Sequence, residues 1–409
     1  MKEFFKVTNL KQVMKYADDF LPVETEEIDL HETFERVLGS DVVSDVNLPD
    51  FIRSTRDGYA VRGQSTFGAS EGSPAYLTVK GHVTMGACPA FSIGPGEAAK
   101  ISTGGMLPEG SDSVVMIEYT EAIDSATIET YRSVAPGQYV IEVGEDIKKG
   151  EIILSCGQKL RSQEIGLLAA FGKEKVKVYK KPVIGIISTG DEVVEINETP
   201  GPGQIRDINT YTLSGLVQKA GGIPLCFGIV RDNFDDLLSK CSQALAKSDM
   251  VLISGGSSVG ARDFTIDVLS SLPDSKILAH GVSISPGKPT ILARAGNKPF
   301  WGLPGHVVSA MIVFEVVVRP FVEKIGGLSG KHKRKEKIPA LLSRNLSSAQ
   351  GRIDYVRIRL VEKDGLFWAE PILGKAGLIN TMVKADGIIE IGINTEGLDK
   401  GSKVLVIPV

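Results

Sequence analysis

The sequence predicts a multidomain α/β protein in which a doubly wound, mostly parallel sheet is flanked by regions rich in short β-strands. Three observations favour this fold class. From Pro182 onward, short apolar runs alternate with stretches of helical periodicity. Before that point, six prolines punctuate short alternating runs within 46–145, and alternating runs return over Ile338–Val409. With 409 residues, the chain is long enough for about two to four domains.

We predict four domains, the first of them discontinuous. Apolar residues recur at helical spacing from Leu10 to Leu21, and a second helix is expected from His31 to Leu38. A short helix is expected over Glu164–Phe171, and Gly326–Lys337 is typical of a linker. The expected boundaries are 1–45 with 146–180 for an N-terminal helical and mixed domain, 46–145 for an inserted β-rich domain, 181–328 for the α/β domain, and 338–409 for a C-terminal β-domain, either a small barrel or a sandwich.

The α/β domain is predicted element by element. Apolar runs predict strands over Val183–Ile187, Ile223–Val230, Val251–Ile253, Lys276–Ile284 and Pro299–Leu303. Helical patterns predict helices over about Thr210–Ala220 and Phe234–Ala246, a helix beginning at about Phe264, and a long helix from His306 to about Lys324, bent near Pro320.

Glycines, hydroxyls and carboxylates are concentrated in the loops that follow these strands. In an open α/β sheet the ligand lies beyond the carboxyl ends of the strands, so the sequence predicts one functional site at that edge. The loops concerned are Ser188–Glu192, Arg231–Asn233, Ser254–Asp263, Ser285–Pro289 and Leu303–His306.

The loop after the central strand carries the strongest local signal. Glycine-rich turns between a strand and a helix let backbone N–H groups converge on an anion. Asp263, near the expected helix start, is suited either to cap that helix or to hold a cation against a phosphate. The residues that we expect to bind the anion are Gly255, Gly256, Ser257, Ser258 and Gly260. For this loop alone, a tight turn followed by a capped helix is an equally good interpretation.

Acids and one lysine define the chemistry expected at this edge. Carboxylate oxygens suit Mg²⁺, whereas Lys288 and glycine N–H groups suit a phosphate or another oxyanion. Together they indicate a phosphorylated ligand bridged by Mg²⁺. The acids are Asp191, Glu192, Asp207, Asp232 and Asp263. The chain has no H-E-x-x-H or Walker A pattern to support zinc proteolysis or P-loop hydrolysis.

Three further loops lie outside the α/β domain. Arg53–Val61 places Asp57 beside a glycine and just after two arginines, and Ile101–Gly110 places two hydroxyls before two glycines. Val143–Gly150 is a turn rich in carboxylates. For Asp57 and the following glycine alone, a hairpin turn is the favoured interpretation.

Composition excludes several functional classes. The net charge of −4 gives no reason to expect nucleic-acid binding. The most apolar stretch, Val307–Val318, is too short to span a bilayer. The four cysteines are far apart and the N-terminus shows no signal peptide, so reduced thiols and a cytoplasmic location are expected.

Taken together, the motifs resemble the MoeA/gephyrin E-domain family of molybdopterin molybdenumtransferases. Eight motifs in the same order, spread over nearly the whole chain, carry the resemblance. They are D-G-Y-A-V within Arg53–Val61, S-T-G-x-x-x-P-E-G at Ser102–Gly110, G-E-D-I at Gly144–Ile147, S-T-G-D-E at Ser188–Glu192, G-Q-I-R-D at Gly203–Asp207, S-G-G-x-S-V-G-x-x-D at Ser254–Asp263, P-G-K-P at Pro286–Pro289 and G-L-P-G-x-x-x-S at Gly302–Ser309.

The resemblance implies an activity and an assembly. Such proteins bind adenylylated molybdopterin and molybdate, insert the metal at the dithiolene, and release AMP in a Mg²⁺-dependent step. They are elongated homodimers of four domains, whose composite site lies between the α/β domain of one subunit and the β-rich domain of the other. The expected partners are the protein that adenylylates the pterin and the enzymes that receive the cofactor. Neither nucleic acid nor a membrane is an expected partner.

The resemblance also assigns residues by motif position. The implied catalytic residues are Asp57, Thr103, Asp146, Glu192, Asp232 and Asp263, with Glu192 and Asp263 positioning Mg²⁺ or the attacking water. Ligand binding is implied for the glycine-loop residues named above and for Ser188, Thr189, Gly190, Asp191, Pro286, Gly287, Lys288, Gly305, Ser309 and Arg357. Of these, Lys288, Ser309 and Arg357 are expected near the oxyanion pocket.

The sequence departs from the family pattern around that pocket. Basic residues are often found where this chain has Ser285 and Gly281, so the pocket is expected to be less basic or to use Arg56 or His306 instead. This leaves open the preference between molybdate and tungstate. Two other functions also remain open: adenylylation of molybdopterin, and a non-enzymatic scaffold, against which the retained acids count.

Overall fold

The structure is a computed structural model that describes residues 7–255, 264–330 and 337–409. The chain divides into two compact units. Residues 41–155, together with 170–172, form the β-rich unit, and the remainder forms the α/β unit. The four-domain division expected from the sequence stays a prediction.

The α/β unit is built on a six-stranded sheet. In chain order its strands are β1 (Val183–Thr189), β2 (Ile223–Val230), β3 (Met250–Ser254), β4 (Ser275–His280), β5 (Ile291–Ala295) and β6 (Lys298–Leu303). They lie side by side in the order β2-β1-β3-β6-β5-β4. Strands β2, β1, β3 and β6 are parallel, and the pairings of β6 with β5 and of β5 with β4 are antiparallel. The predicted mostly parallel sheet is therefore confirmed.

Helices cover both faces of this sheet. They are α1 (Asn209–Lys219), α2 (Phe234–Lys247), α3 (Phe264–Ser271), α4 (Val307–Val313) and α5 (Arg319–Ile325). Ile186 and Trp301 pack on one face with residues of α1 and α4, whereas Ile187 and Phe300 pack on the other with α2 and α3. Successive strand residues thus pack into hydrophobic cores on opposite faces, as a doubly wound sheet requires.

The long helix predicted from His306 is continuous but not uniform. A π-helical segment, Phe314–Val318, joins α4 to α5. Pro320 lies in the first turn of α5. Because proline has no N–H group and crowds the preceding carbonyl, a widened turn just before it accommodates the ring. The irregularity therefore precedes Pro320.

One strand predicted in the α/β domain is longer than the strand observed. The run Lys276–Ile284 is divided, since β4 ends at His280 and Ile284–Ser285 is a separate short strand. That short strand pairs with Ile353–Asp354 of the C-terminal region rather than with the sheet. Strand β5, which forms an antiparallel hairpin with β6, was not predicted.

The N-terminal region is less helical than the sequence predicted. Leu10–Lys15 is an α-helix continued by a 3₁₀ turn, and Ser162–Ala170 is helical as expected. The helix predicted over His31–Leu38 is wrong. Only a 3₁₀ turn forms at Leu30–Glu32, and Glu35 adopts a left-handed conformation that ends any helix. Thr25–Asp29 is instead a strand, antiparallel to Lys175–Tyr179.

The β-rich unit confirms the strand-rich prediction for this part of the chain. Its six-stranded sheet runs in the order Ser113–Met116, Gly58–Val61, Glu97–Ile101, Ala75–His82, Thr127–Thr130 and Thr120–Ala122. Two short antiparallel pairs accompany it, Arg53–Ser54 with Val140–Ile141 and Val42–Val43 with Ile152–Leu154.

The C-terminal region is a closed barrel of five strands, which decides between the barrel and sandwich expected from the sequence. Closure follows from the pairing of the long strand Ile353–Lys363 with both of its neighbours, Leu366–Pro371 and Gly387–Ile391. The remaining barrel strands are Ile338–Leu342 and Lys403–Pro408. A short helix, Asn380–Val383, precedes the strand that closes the barrel.

Glu164 makes a pH-dependent contribution to stability that can be measured. The Arg161 guanidinium and backbone N–H donate to its buried carboxylate, which lowers the pKa of Glu164 to about 2. Because the folded pKa lies below the unfolded one, this stabilisation is present above about pH 4.5 and is lost as the pH falls towards 2.

Glu164→Gln is therefore expected to lower the free energy of unfolding by about 2 kcal/mol at pH 7, and the difference should shrink as the pH falls below 4.5. Urea unfolding at several pH values measures it. Glu24→Gln is the matched control, because Glu24 also pairs with a cation, Lys180, but is fully exposed. A difference that does not change with pH would contradict the assignment.

No helix in the described part of the chain is long and apolar enough to cross a membrane. All four cysteines are free thiols, and burial raises the pKa of Cys241 to about 12.

Candidate functional site

Three strand-end backbones approach one another closely at the carboxyl edge of the sheet. Gly255, just after β3, has a φ of +117°, and a Cβ there would lie 2.1 Å from the carbonyl oxygen of Thr189 at the end of β1. A Cβ on Gly305, after β6, would lie 3.6 Å from the Cα of Gly255. The first of these approaches leaves no room for a side chain, so glycine is required at Gly255.

An acidic cluster lies at the neighbouring strand ends. The buried Thr189 hydroxyl donates to Asp232 Oδ1 at 2.8 Å, which orients that carboxylate. The backbone N–H of Asp232 in turn donates to Asp191 Oδ1 at 3.2 Å. The structure thus brings together the acids that follow β1 and β2, as the strand-end argument predicted.

Glu192 lies against the glycine turn that follows β1. A Cβ on Gly190 would lie 2.8 Å from Glu192 Oε2, so the absence of a side chain on Gly190 makes room for this carboxylate. Glu192 itself is exposed, and its carbonyl accepts a hydrogen bond from Ile205 N at 2.8 Å. Its carboxylate is therefore available to a ligand at the sheet edge.

Asp207 and Asn209 shape the start of α1. Asp207 accepts hydrogen bonds from the backbone N–H and the hydroxyl of Thr210, which makes it a helix-capping residue in this structure. Asn209 is buried and donates to Ser254 Oγ and to the Gly305 carbonyl. No sequence motif pointed to Asn209. The only local signal was an amide two residues after the capping aspartate.

The loop Ser285–Pro289 packs along the helix that carries Ser309. Gly287 has a φ of +113°, and a Cβ there would lie 2.3 Å from Val313 Cγ2, one turn after Ser309. This contact excludes any side chain at Gly287. It sets the exposed Lys288 beside α4, on which Ser309 is buried.

Arg357 is a half-buried cation on the long barrel strand. Its Nη2 donates to the Gly374 carbonyl at 2.8 Å, and its Nε is buried without a partner among the described residues. Loss of hydration lowers the pKa of Arg357. No carboxylate in the described ranges forms an ion pair with it, so its charge is available to an anion.

Two contacts connect Arg357 to the start of α4. The loop that begins at Gly374 continues to Ala376, whose carbonyl accepts from Val308 N at 3.0 Å. The next residue, Gly377, would place a Cβ 3.8 Å from the His306 ring. In addition, Asp354, on the same strand as Arg357, is paired with Ser285, the first residue of the loop that carries Lys288. The elements carrying Lys288, Ser309 and Arg357 are thus held together.

In the β-rich unit, two of the predicted catalytic residues, Asp57 and Thr103, are in contact. Thr103 N donates to Asp57 Oδ1 at 2.7 Å, although the two residues are 46 positions apart. Gly104 N donates to the Ser54 carbonyl at 2.8 Å, which fixes the two loops side by side. Both Asp57 and Thr103 are exposed. The carboxylate therefore presents its second oxygen to solvent.

Other predicted residues are not joined to this cluster. Asp146 is exposed in a turn held by its N–H to the Leu48 carbonyl, and no described hydrogen bond links it to Asp57. Arg56 and His306, the suggested substitutes for missing basic residues, are both exposed. The predicted ligands Gly256, Ser257, Ser258, Gly260 and Asp263 lie outside the described residues.

The donor set at the sheet edge fits Mg²⁺. Carboxylate oxygens of Asp191, Glu192 and Asp232 are hard ligands, which Mg²⁺ prefers over the nitrogen and sulfur ligands that zinc favours. Over the described ranges, no group of three His, Cys, Asp or Glu residues forms a preassembled metal site. In nucleotide sites, Mg²⁺ takes one or two carboxylates and completes its shell with phosphate oxygens and water.

Comparison with protein families first gives the class of the central region. Residues 185–324 match the family model described as a probable molybdopterin binding domain. Residues 8–172 match the MoeA N-terminal region, domains I and II, and residues 339–409 match the MoeA C-terminal region, domain IV.

Whole-chain relatives agree with these matches. A molybdopterin molybdenumtransferase of Bacillus subtilis is 31% identical over 94% of this chain and 90% of its own length. One of Haemophilus influenzae is 34% identical over 82% of this chain and 81% of its own. The solved structure of a MoeA protein from Pyrococcus horikoshii, 31% identical, superposes with a TM-score of 0.86 over 99% of this chain and 100% of that one. The chain belongs to the MoeA family of molybdenum-cofactor biosynthesis, which confirms the resemblance seen in the sequence.

Proposed function

We propose that this chain is a molybdopterin molybdenumtransferase. It binds adenylylated molybdopterin and molybdate, inserts molybdenum at the dithiolene and releases AMP in a Mg²⁺-dependent step. The single observation that carries the proposal is the separation of charges in the α/β unit. Oriented carboxylates gather after β1 and β2, whereas two basic side chains lie around α4 and the long barrel strand: the exposed Lys288, and Arg357, which forms no ion pair with a carboxylate in the described ranges.

The acidic side suits the phosphoanhydride of the nucleotide. Thr189 holds Asp232, and Asp232 N holds Asp191, so these carboxylates are preorganised before any ligand arrives. Two phosphate groups bring negative charge towards acids, which is unfavourable unless a cation lies between them. When bound, Mg²⁺ would neutralise that charge. We assign Glu192 and Asp263 to hold it and to orient the water that attacks the anhydride.

The basic side suits a tetrahedral dianion. Lys288 brings an ammonium group beside α4, and Arg357 brings a guanidinium whose Nε has no described acceptor. Charge-assisted hydrogen bonds from such groups are stronger than neutral ones, most of all where water is partly excluded. We therefore assign Lys288, Arg357 and the Ser309 hydroxyl to the oxyanion. The preference between molybdate and tungstate is a property to be measured.

The proposal includes the assembly expected from the sequence. The active form is a homodimer, in which Asp57 and Thr103 of one subunit complete the site on the partner's α/β sheet. The adenylylating protein supplies the substrate, molybdoenzymes receive the product, and the reaction takes place in the cytoplasm.

AMP release from adenylylated molybdopterin, followed by chromatography, tests the proposed reaction. With Mg²⁺ present, low concentrations of molybdate or tungstate should stimulate release, and chelation of Mg²⁺ should abolish the stimulation. The better oxyanion defines the preference left open by Ser285 and Gly281. Consumption of ATP with molybdopterin alone would instead indicate the adenylylation reaction. Failure of both reactions, together with tight binding of a peptide, would indicate a scaffold.

A further inference from the structure

The buried amide of Asn209 lies between two strand ends that border the site. It is the first residue of α1, and its Nδ2 donates to Ser254 Oγ at 2.6 Å and to the Gly305 carbonyl at 2.8 Å. Ser254 is the last residue of β3, and Gly305 lies two residues beyond β6. One amide nitrogen therefore spans from the helix to both strands.

The Gly305 carbonyl determines which way this amide points. A carbonyl only accepts hydrogen bonds, so the nitrogen and not the oxygen of Asn209 must face it. The position requires two donors on one short side chain. Aspartate would place an oxygen against the carbonyl, serine has a single donor, and glutamine is longer by one methylene.

The link lies where the sheet stops holding the two strands together. The register of β3 with β6 ends at Ser254 and Leu303, and Gly255 N donates to the Leu303 carbonyl at a long 3.3 Å. Beyond that point each chain enters its loop. The hydrogen bonds of Asn209 therefore hold the two chains together just beyond the last β3–β6 pair, where Gly255 and Gly305 begin their loops.

A shift at Gly255 would be transmitted to the acids. The backbone of Gly255 packs directly against the carbonyl of Thr189, so a displacement of Gly255 is expected to displace Thr189, whose hydroxyl holds Asp232. The Oδ1 of Asn209 is buried and has no partner among the described residues, which costs stability. The amide is thus better suited to fixing the relative positions of the β3 and β6 ends than to stabilising the fold.

We propose that Asn209 is a positioning residue that fixes the ends of β3 and β6, and through them Thr189 and Asp232, for the reaction. The inference rests on the proposed function. Asn209→Leu preserves the shape of the side chain and removes both donors. It is expected to lower kcat for AMP release at least tenfold, because small displacements of reacting groups are costly.

Val217→Ala is the matched control, since Val217 is fully buried on the same helix and does not contact the strand ends through a hydrogen bond. This variant should lower the thermal stability as much as Asn209→Leu or more, while kcat and KM stay within twofold of the wild type. Ser254→Ala combined with Asn209→Leu should lose less kcat than the product of the single losses. Equal kcat losses in Asn209→Leu and Val217→Ala, in proportion to stability, would overturn the proposal.

Hydrogen–deuterium exchange separates failure of this inference from failure of the proposed reaction. Asn209→Leu should speed exchange in peptides covering the ends of β1, β3 and β6, whereas Val217→Ala should speed it mainly in α1. This readout needs no turnover. If the wild type releases no AMP but the exchange pattern appears, the proposed reaction fails and the positioning role stands. Unchanged exchange at the strand ends would overturn the positioning role.

Discussion

Replacing Asp57 by asparagine is expected to lower the rate of AMP release by about two orders of magnitude without unfolding the β-rich unit. Asparagine keeps an oxygen that can accept the hydrogen bond from Thr103 N, so the two loops stay paired while the negative charge is lost. Asp57→Ala removes both the charge and the acceptor. The paired variants therefore separate the electrostatic role of the carboxylate from its part in holding the loop.

Steady-state AMP release and thermal unfolding measure the two effects. Both variants should be nearly inactive, and only Asp57→Ala should also lower the stability of the β-rich unit. Activity close to wild type in Asp57→Asn, with loss only in Asp57→Ala, would show that Asp57 is a loop-bracing residue. In that case its assignment to catalysis would be wrong.

Mixed dimers test whether Asp57 acts on the partner subunit. Equal amounts of Asp57→Asn and Asp232→Asn chains, allowed to exchange subunits, should recover about a quarter of wild-type activity. Half of the dimers are then mixed, and each mixed dimer has one intact composite site. A site formed within one chain would recover no activity, which would contradict the proposed assembly.

Arg357→Met is expected to raise the KM for molybdate at least tenfold, because the variant loses the charge-assisted hydrogen bonds to the oxyanion. Methionine keeps much of the apolar stem. Relief of the partly buried, carboxylate-free guanidinium should offset the loss of its hydrogen bond to the Gly374 carbonyl, so thermal stability should change little. Loss of oxyanion affinity together with intact stability is typical of a binding residue.

Arg359→Met provides the control on the same strand. Arg359 is exposed, so its replacement changes the net charge by the same amount without changing the proposed pocket. AMP release titrated with molybdate compares the two variants. An equal rise in KM for both would mean that only the overall charge matters, and the assignment of Arg357 would then be refuted.

The parallel part of the sheet could be predicted from sequence because each strand is an apolar run that ends at glycine, proline or polar residues. Strand β5 was missed because its run, Ile291–Ala295, was assigned to no element. The turn at Gly296, with a φ of +57°, was a usable hairpin signal. The helix expected over His31–Leu38 failed because tertiary pairing and the left-handed Glu35 overrode local propensity.

The candidate site was predictable only where position along a strand determines position in space. Parallel strands end at one edge, so the proximity of Thr189, Asp191 and Asp232 followed from the order of elements. The contact of Asp57 with Thr103 depends on how two distant loops meet, which no local pattern encodes. Asn209 was missed for a related reason. Its role depends on β3 and β6 being neighbours, although β4 and β5 separate them in the chain.

The short strand Ile284–Ser285 shows that the domain boundary suggested by the sequence does not separate two structurally independent parts of this protein. The basic stretch before Ile338 suggests a convenient place to divide the chain, and the family models also end and begin on either side of it. Yet Ile284 and Ser285, where the loop that carries Lys288 begins, pair with a strand of the barrel that follows that stretch. Evolution could therefore not exchange the barrel for another domain without rebuilding the segment that presents Lys288.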